Sequence, residues 1–195
     1  ASGRLAAVTD GHSGGLRYPK YIYSDDYGLT WSAGVTITWG FLSGYAYAND
    51  VIELANGYLI ASADGKDSAG GVTYLRWSRS TDGGATWAAL SSISAIGGFN
   101  TVEQRNAILD NGNVFTVFHT EDGVPTDYYR ALSTDSCATW GAPVLVTAGN
   151  SFNRQGLTHF QNDNLIIGVN RYSPFDWTYR EAEDGGTVFN GPTSL

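Results

Sequence analysis

One turn signature returns at a nearly constant interval along this chain, as Ser24-Asp25-Asp26-Tyr27-Gly28-Leu29-Thr30-Trp31, Ser80-Thr81-Asp82-Gly83-Gly84-Ala85-Thr86-Trp87 and Ser133-Thr134-Asp135-Ser136-Cys137-Ala138-Thr139-Trp140. A worn fourth copy reads Ala182-Glu183-Asp184-Gly185-Gly186-Thr187-Val188-Phe189. The closing aromatics Trp31, Trp87, Trp140 and Phe189 are separated by 56, 53 and 49 residues. Such a period implies one supersecondary unit repeated about four times.

A second turn precedes each signature and comes into register with it. It reads Ser2-Gly3, Asn56-Gly57, Asn111-Gly112 and Asp163-Asn164, each followed by an apolar run. Asn-Gly between apolar runs is a strong hairpin signal, and a type I′ turn with positive φ at both central residues is the expectation. One unit then contains four strands, Val51 to Leu54, Tyr58 to Ala63, Val72 to Arg79 and Thr86 to Ile93. Four-stranded antiparallel units at this spacing predict an all-β fold, a β-propeller whose blades cover one another's apolar faces.

Composition agrees. Aromatics make up 13% of the chain and Gly reaches 25, a pairing that suits short pleated strands and tight turns, and no stretch sustains helical periodicity. A net charge of −8 argues against nucleic acid as a partner. No apolar run is long enough for a membrane helix. Cys137 is the single cysteine, so no intrachain disulfide and no cysteine-based zinc site can form. His12, His119 and His159 have no metal-site spacing, so neither metal nor cofactor is expected.

Within the signature, Asp can accept backbone N–H bonds across the turn, Gly can turn left-handed, and Trp can bury between strands. Its expected role is architectural. Cys137 stands at the Gly position of the third copy, so a strained or distorted turn is expected there. The approximate blades are 1–44, 45–97, 98–149 and 150–195, with the first lacking its first strand. Closure would need the carboxyl-terminal segment beside Arg4 to Val8, or further sequence; a fragment of a larger propeller is the expectation.

The turns resemble the Asp-box, or bacterial-neuraminidase repeat, of the sialidase superfamily, Ser-x-Asp-x-Gly-x-Thr-Trp. Two copies match in full and one departs at Gly, and the blade pattern Val51-Ile52-Glu53-Leu54-Ala55-Asn56-Gly57-Tyr58-Leu59-Ile60 is also similar. The resemblance covers nearly the whole chain and implies a piece of a six-bladed sialidase-like propeller, extracellular or surface-associated. It also implies that the Asp-boxes lie opposite the active face. The site is then sought where the first strand begins and where the second strand ends.

Counting back from each hairpin turn, Ala48, Glu103 and Arg154 occupy one ring position, with Arg105 two residues beyond Glu103. Counting forward, Asp10, Asp64, His119 and Asn170 share a second, with His12, Arg171 and Tyr172 close by. Arg105, Arg154 and Arg171 could grip a sugar carboxylate in a central funnel, with Asp64 and His12 also binding. Asp10, Asp64 or Glu103 could move a proton and Tyr172 could act as nucleophile. Trp39, Phe41, Tyr45 and Tyr47 could stack on sugars or pack the neighbouring blade.

The family's Arg-Ile-Pro motif is not found at its place, His12 replaces an arginine, and Ser13 to Leu16 lacks the acid that the resemblance implies. Two functions therefore remain open. One is a sialidase-like hydrolase or module for acidic glycans; the other is a non-enzymatic propeller serving protein interaction or surface adhesion. Oligomeric state is not legible.

Overall fold

The computed structural model describes residues 3–13, 16–40, 45–66, 71–121, 126–150, 152–159, 165–171, 177–183, 188–189 and 193–194, with surroundings of side chains described only as far as residue 146. Every regular element among them is a strand. Four antiparallel sheets follow one another along the chain. The first is β1 (Leu5–Ser13), β2 (Leu16–Ser24) and β3 (Val35–Thr36). The second is β4 (Ala46–Glu53), β5 (Leu59–Lys66), β6 (Thr73–Ser80) and β7 (Ala88–Ile93). The third is β8 (Asn100–Ile108), β9 (Val114–Glu121), β10 (Thr126–Ser133) and β11 (Val144–Asn150). The fourth is β12 (Phe152–His159), β13 (Leu165–Arg171), β14 (Trp177–Glu183) and β15 (Val188–Phe189), with β16 (Thr193–Ser194) also on β14.

Each sheet keeps chain order from the inner to the outer strand, and β1, β4, β8 and β12 stand side by side. This is the blade arrangement of a β-propeller. The first sheet has three described strands where the second and third have four, and the described ladder partner of β1 is β2 alone. Because β16 pairs with β14, residues 193–194 do not supply a strand beside β1.

Stacking of blades explains why β5 and β9 are buried almost throughout. On β5, Leu59, Ala61 and Ala63 pack with Tyr21, Ile37 and Trp39 of the first blade. Ile60, between them, belongs to a cluster with Val114, Phe118, Ala131 and Cys137 of the third. Alternate side chains thus enter two different interfaces.

The hairpin turns differ from the type I′ expectation. Gly57 and Gly112 have φ of 81° and 83°, but Asn56 and Asn111 are not left-handed. Leu54 and Leu109 accept bonds from the Gly N–H, and each Asn side chain accepts the N–H two residues on. These are three-residue loops that leave only Gly left-handed.

Each Asp-box is held by its own side chains. Asp82 accepts the Ser80 hydroxyl at 2.7 Å, the Thr86 N–H at 2.9 Å and the Thr86 hydroxyl at 2.6 Å, while Ser80 accepts the Gly84 N–H. The first and third boxes repeat these bonds. Two consecutive residues turn left-handed in each of these three copies: Tyr27 and Gly28, Gly83 and Gly84, Ser136 and Cys137. The third box is strained at both positions, yet its hydrogen bonds are intact. Distortion is therefore not the outcome there.

The reason lies in packing. A β-carbon on Gly84 would sit 2.1 Å from the Tyr21 ring of the preceding blade. At the matching place in the third box, the Cys137 side chain is itself fully buried in the interface cluster that contains Trp77. Tyr21 and Trp77 occupy equivalent strand positions and pack against Trp87 and Trp140, with ring centroids 5.3 and 4.2 Å apart. Trp31, with no preceding described blade, is 45% exposed.

Candidate functional site

At the end of the sheets remote from the Asp-boxes, blades one to three enclose a cavity of about 710 Å³. Asp10, Asp64, Glu103 and Arg105 line it, as do Tyr47, Asn49, Lys66 and Glu121. Four of the residues singled out from the repeat register are therefore brought together. His12 is exposed on β1 and is not among the lining residues. Arg154 lies on β12 opposite Asn170, and Arg171 lies on β13 opposite Phe152; their side chains lie outside those described. Tyr172 lies outside the described residues altogether.

Asp10 and Asp64 make the same interblade bond. Asp10 Oδ1 accepts the Ala48 N–H at 2.8 Å, and Asp64 Oδ1 accepts the Glu103 N–H at 3.3 Å. Ala48 and Glu103 are ring equivalents, so each Asp ties its blade to the next. To present its N–H, Glu103 adopts a φ of 57° at a break in the β8 ladder between Val102 and Arg105. A left-handed glutamate costs on the order of 1 kcal/mol or more, and such outliers collect where tertiary structure over-determines the backbone.

The two carboxylates then diverge. Asp10 Oδ2 accepts from the Arg17 guanidinium at 3.2 Å, and that pair is partly solvated. Asp64 is 6% exposed and has an amide partner, Asn49 Nδ2 at 2.8 Å. Burial pushes the Asp64 carboxyl up to about 6; the Asn49 and Glu103 hydrogen bonds oppose this, and the charges of Glu103 and Glu121 add to it. A carboxyl in that range can hold a proton or release it near neutrality.

Behind the cavity lies a polar network that the sequence reading missed. Buried Gln104 donates to the Ala63 carbonyl at 2.9 Å and accepts from Asn49. Asp50 accepts from the Ser62 hydroxyl and from both the backbone N–H and side-chain amide of Asn106, whose oxygen accepts the Trp77 indole N–H. Although Asp50 keeps some accessible surface, burial is the largest influence on its carboxyl and raises its pKa. One signal was available: Asn49, Gln104 and Gln155 all stand one residue past the ring position.

Among the described residues, no group of three or more His, Cys, Asp and Glu is placed to hold a metal ion. Nor is any helix there long and apolar enough to cross a membrane. The lining instead combines a buried carboxyl, further carboxylates, two cations and amides, the groups used to bind and protonate a polyhydroxylated ligand.

No model of a known protein family matches the chain, and no curated protein sequence matches it. Solved structures do. The chain is similar to an α-L-arabinanase from Penicillium chrysogenum complexed with arabinobiose, at 17% identity and a TM-score of 0.77, over 99% of this chain and 63% of that one. It is similar to an α-L-arabinofuranosidase from Fusarium graminearum in complex with an iminosugar inhibitor, at 16% identity and a TM-score of 0.77, over 100% and 64% of the two chains. A sialidase from Streptococcus pneumoniae matches at 13% identity and a TM-score of 0.74, over 100% and 50%. The chain thus spans between half and just under two thirds of these neighbours' length. What these likenesses show is the fold, an all-β propeller arrangement shared with those neighbours.

Proposed function

We propose that this chain carries the sugar-handling cavity of a glycoside hydrolase built on a β-propeller, with residues 1–195 forming one domain or part of one. The observation that carries the reading is Asp64, a buried carboxyl with its pKa near 6 at the wall of a cavity rich in further carboxylates. Protonated Asp64 would donate to the glycosidic oxygen as the bond to the anomeric carbon breaks. An ionised partner, Glu103 foremost, would stabilise the positive charge developing on the sugar or take a proton from the attacking water. Asp10, already bonded on both oxygens, would serve as a positioning residue.

The described lining carries Asp10, Asp64, Glu103 and Glu121 against Lys66 and Arg105, an excess of acid that favours an uncharged sugar over an acidic one. A second reading is the acidic glycan held by Arg105, Arg154 and Arg171 with Tyr172 as nucleophile. It is favoured by the Asp-box resemblance and by Arg154 falling at the ring position of Glu103. Either substrate would be met outside the cell or at its surface. A non-enzymatic glycan-binding or protein-interaction module would use the same cavity without Asp64.

The test is turnover of aryl α-L-arabinofuranoside, arabinan and a fluorogenic sialoside by the wild type, Asp64→Asn and Glu103→Gln. Hydrolysis that falls as pH rises through about 6, and is lost in Asp64→Asn, is the expected result. Sugar binding without turnover would leave a binding module. Neither binding nor turnover on any of them would defeat the glycan reading.

A further inference from the structure

Tyr47 is the one aromatic among the described residues that line the cavity, and it is 41% exposed, whereas Tyr21 and Trp39 at the interface of the first two blades are buried in the core. Its ring is not left loose. The Arg17 guanidinium carbon sits 4.1 Å from the ring centroid on one face, and Arg17 is in turn held by Asp10 Oδ2 at 3.2 Å. Asp10 is anchored through its other oxygen to the Ala48 N–H, the residue next to Tyr47 on β4. Arg17 and Tyr45 also form a backbone bridge between the first two blades.

Asp10, Arg17 and Tyr47 therefore form a closed mechanical loop: carboxylate to guanidinium, guanidinium to ring, ring through the backbone to the carboxylate. A cation on one face fixes the orientation of a ring at modest cost in rotamer freedom. An otherwise hydrophilic cavity needs such an apolar plane to recognise a sugar, since its hydroxyls are met by polar groups while its C–H face must leave water against carbon.

Resting on the glycan reading above, we propose that Tyr47 is the stacking platform for a sugar ring, and that Arg17 and Asp10 are positioning residues that hold it in place. The sugar lies with its C–H face on the cavity side of Tyr47, which puts its hydroxyls within the zone of Asn49, Asp64 and Lys66. The platform selects for a flat, uncharged sugar face rather than for a carboxylate.

The experiment is calorimetric titration of arabinobiose, xylobiose, cellobiose, mannobiose and 3′-sialyllactose into the wild type, Tyr47→Phe, Tyr47→Leu, Tyr47→Ala and Arg17→Ala, with thermal unfolding of each variant. For the sugar that the wild type binds best, Tyr47→Phe should stay within about twofold, and Tyr47→Leu and Tyr47→Ala should weaken by about tenfold or more. Arg17→Ala should weaken binding by a smaller factor. Tyr47→Leu keeps an apolar side chain against Arg17, so it remains informative if Tyr47→Ala unfolds. Affinity in folded Tyr47→Leu within twofold of wild type would overturn the platform while leaving the glycan reading intact. Failure of the wild type to bind any of the five sugars would overturn both.

Discussion

The two ends of the second blade carry carboxylates with opposite chemistry, and the Asp-boxes of the first and third blades repeat one side of the contrast. At the Asp-box end, Asp26 and Asp82 are held down to about 2, foremost by side-chain hydrogen bonds from Ser24 and Thr30 in one box and Thr86 in the other; Asp135 is lowered in the same way. At the cavity end, burial lifts Asp64 to about 6. Hydrogen bonds reach Asp64 too, but they are fewer, and the adjoining charges are negative. A carboxylate saturated with donors at the surface is a turn-former fixed in one protonation state. A carboxyl withdrawn from water, with incomplete compensation, is a group that can exchange its proton where chemistry happens.

The sharpest way to break this contrast is Asp64→Asn. If Asp64 is the proton donor, turnover of the sugar substrate should fall by roughly 10²- to 10⁴-fold, whereas Asp82→Asn should leave the specific activity of folded protein nearly unchanged. Steady-state kinetics on both variants decides it.

Interface packing should have large effects on stability alone. Trp77→Ala removes a fully buried indole between the second and third blades and leaves Asn106 without its donor. A loss of about 3–5 kcal/mol in chemical denaturation is expected. Trp31→Ala, at an Asp-box aromatic that is 45% exposed, should cost much less.

The sign of the pH dependence separates the two ends. Asp64 binds its proton more tightly folded than unfolded, so its contribution favours folding below about pH 4 and is lost as pH rises through about 6. The difference of about two pH units corresponds to roughly 3 kcal/mol at neutral pH. Asp64→Asn should accordingly gain up to that amount above pH 6, by denaturation, while losing activity. For Asp26 and Asp82 the order reverses: their contribution is present above about pH 4 and disappears as pH falls through about 2. A stability profile lacking a rise from pH 7 to 5 would remove Asp64 from the role assigned to it.

The smallest effect concerns Cys137. Alanine and glycine both empty the site of the thiol, but only glycine relieves the left-handed strain at φ 63°. Cys137→Gly should be the more stable of the two by about 1 kcal/mol. Equal stabilities would mean that the interface, not the backbone, dominates there.

The Asp-boxes were legible because their partners are near in sequence. Ser80 to Asp82 and Asp82 to Thr86 are two and four residues apart, so residue type and spacing already contain the whole hydrogen-bonded turn. Strand number and order followed from repeating that turn. The hairpin type differs from the expectation because Asn56 has two ways to use its side chain and backbone, and a three-residue loop that keeps Asn56 out of the left-handed region satisfies its oxygen through Tyr58 N–H. The cavity was legible only as ring positions. Asp50 reaches Asn106 across 56 residues and Asp64 reaches the Glu103 N–H across 39, and no local rule foretells such contacts.

Asp10 and Asp64 mark the boundary between the two kinds of knowledge. The repeat alone assigns them to equivalent places at the end of a second strand, each positioned to meet the next blade. Their surroundings differ: Arg17 pairs with Asp10 from the neighbouring strand of the same blade, whereas only the assembled blades bury Asp64, with Asn49 and Glu103 as donors, among like charges. Sequence periodicity specifies where a side chain stands on its strand. Its solvation and its neighbours' charges are properties of the packed interface, and these set its affinity for a proton.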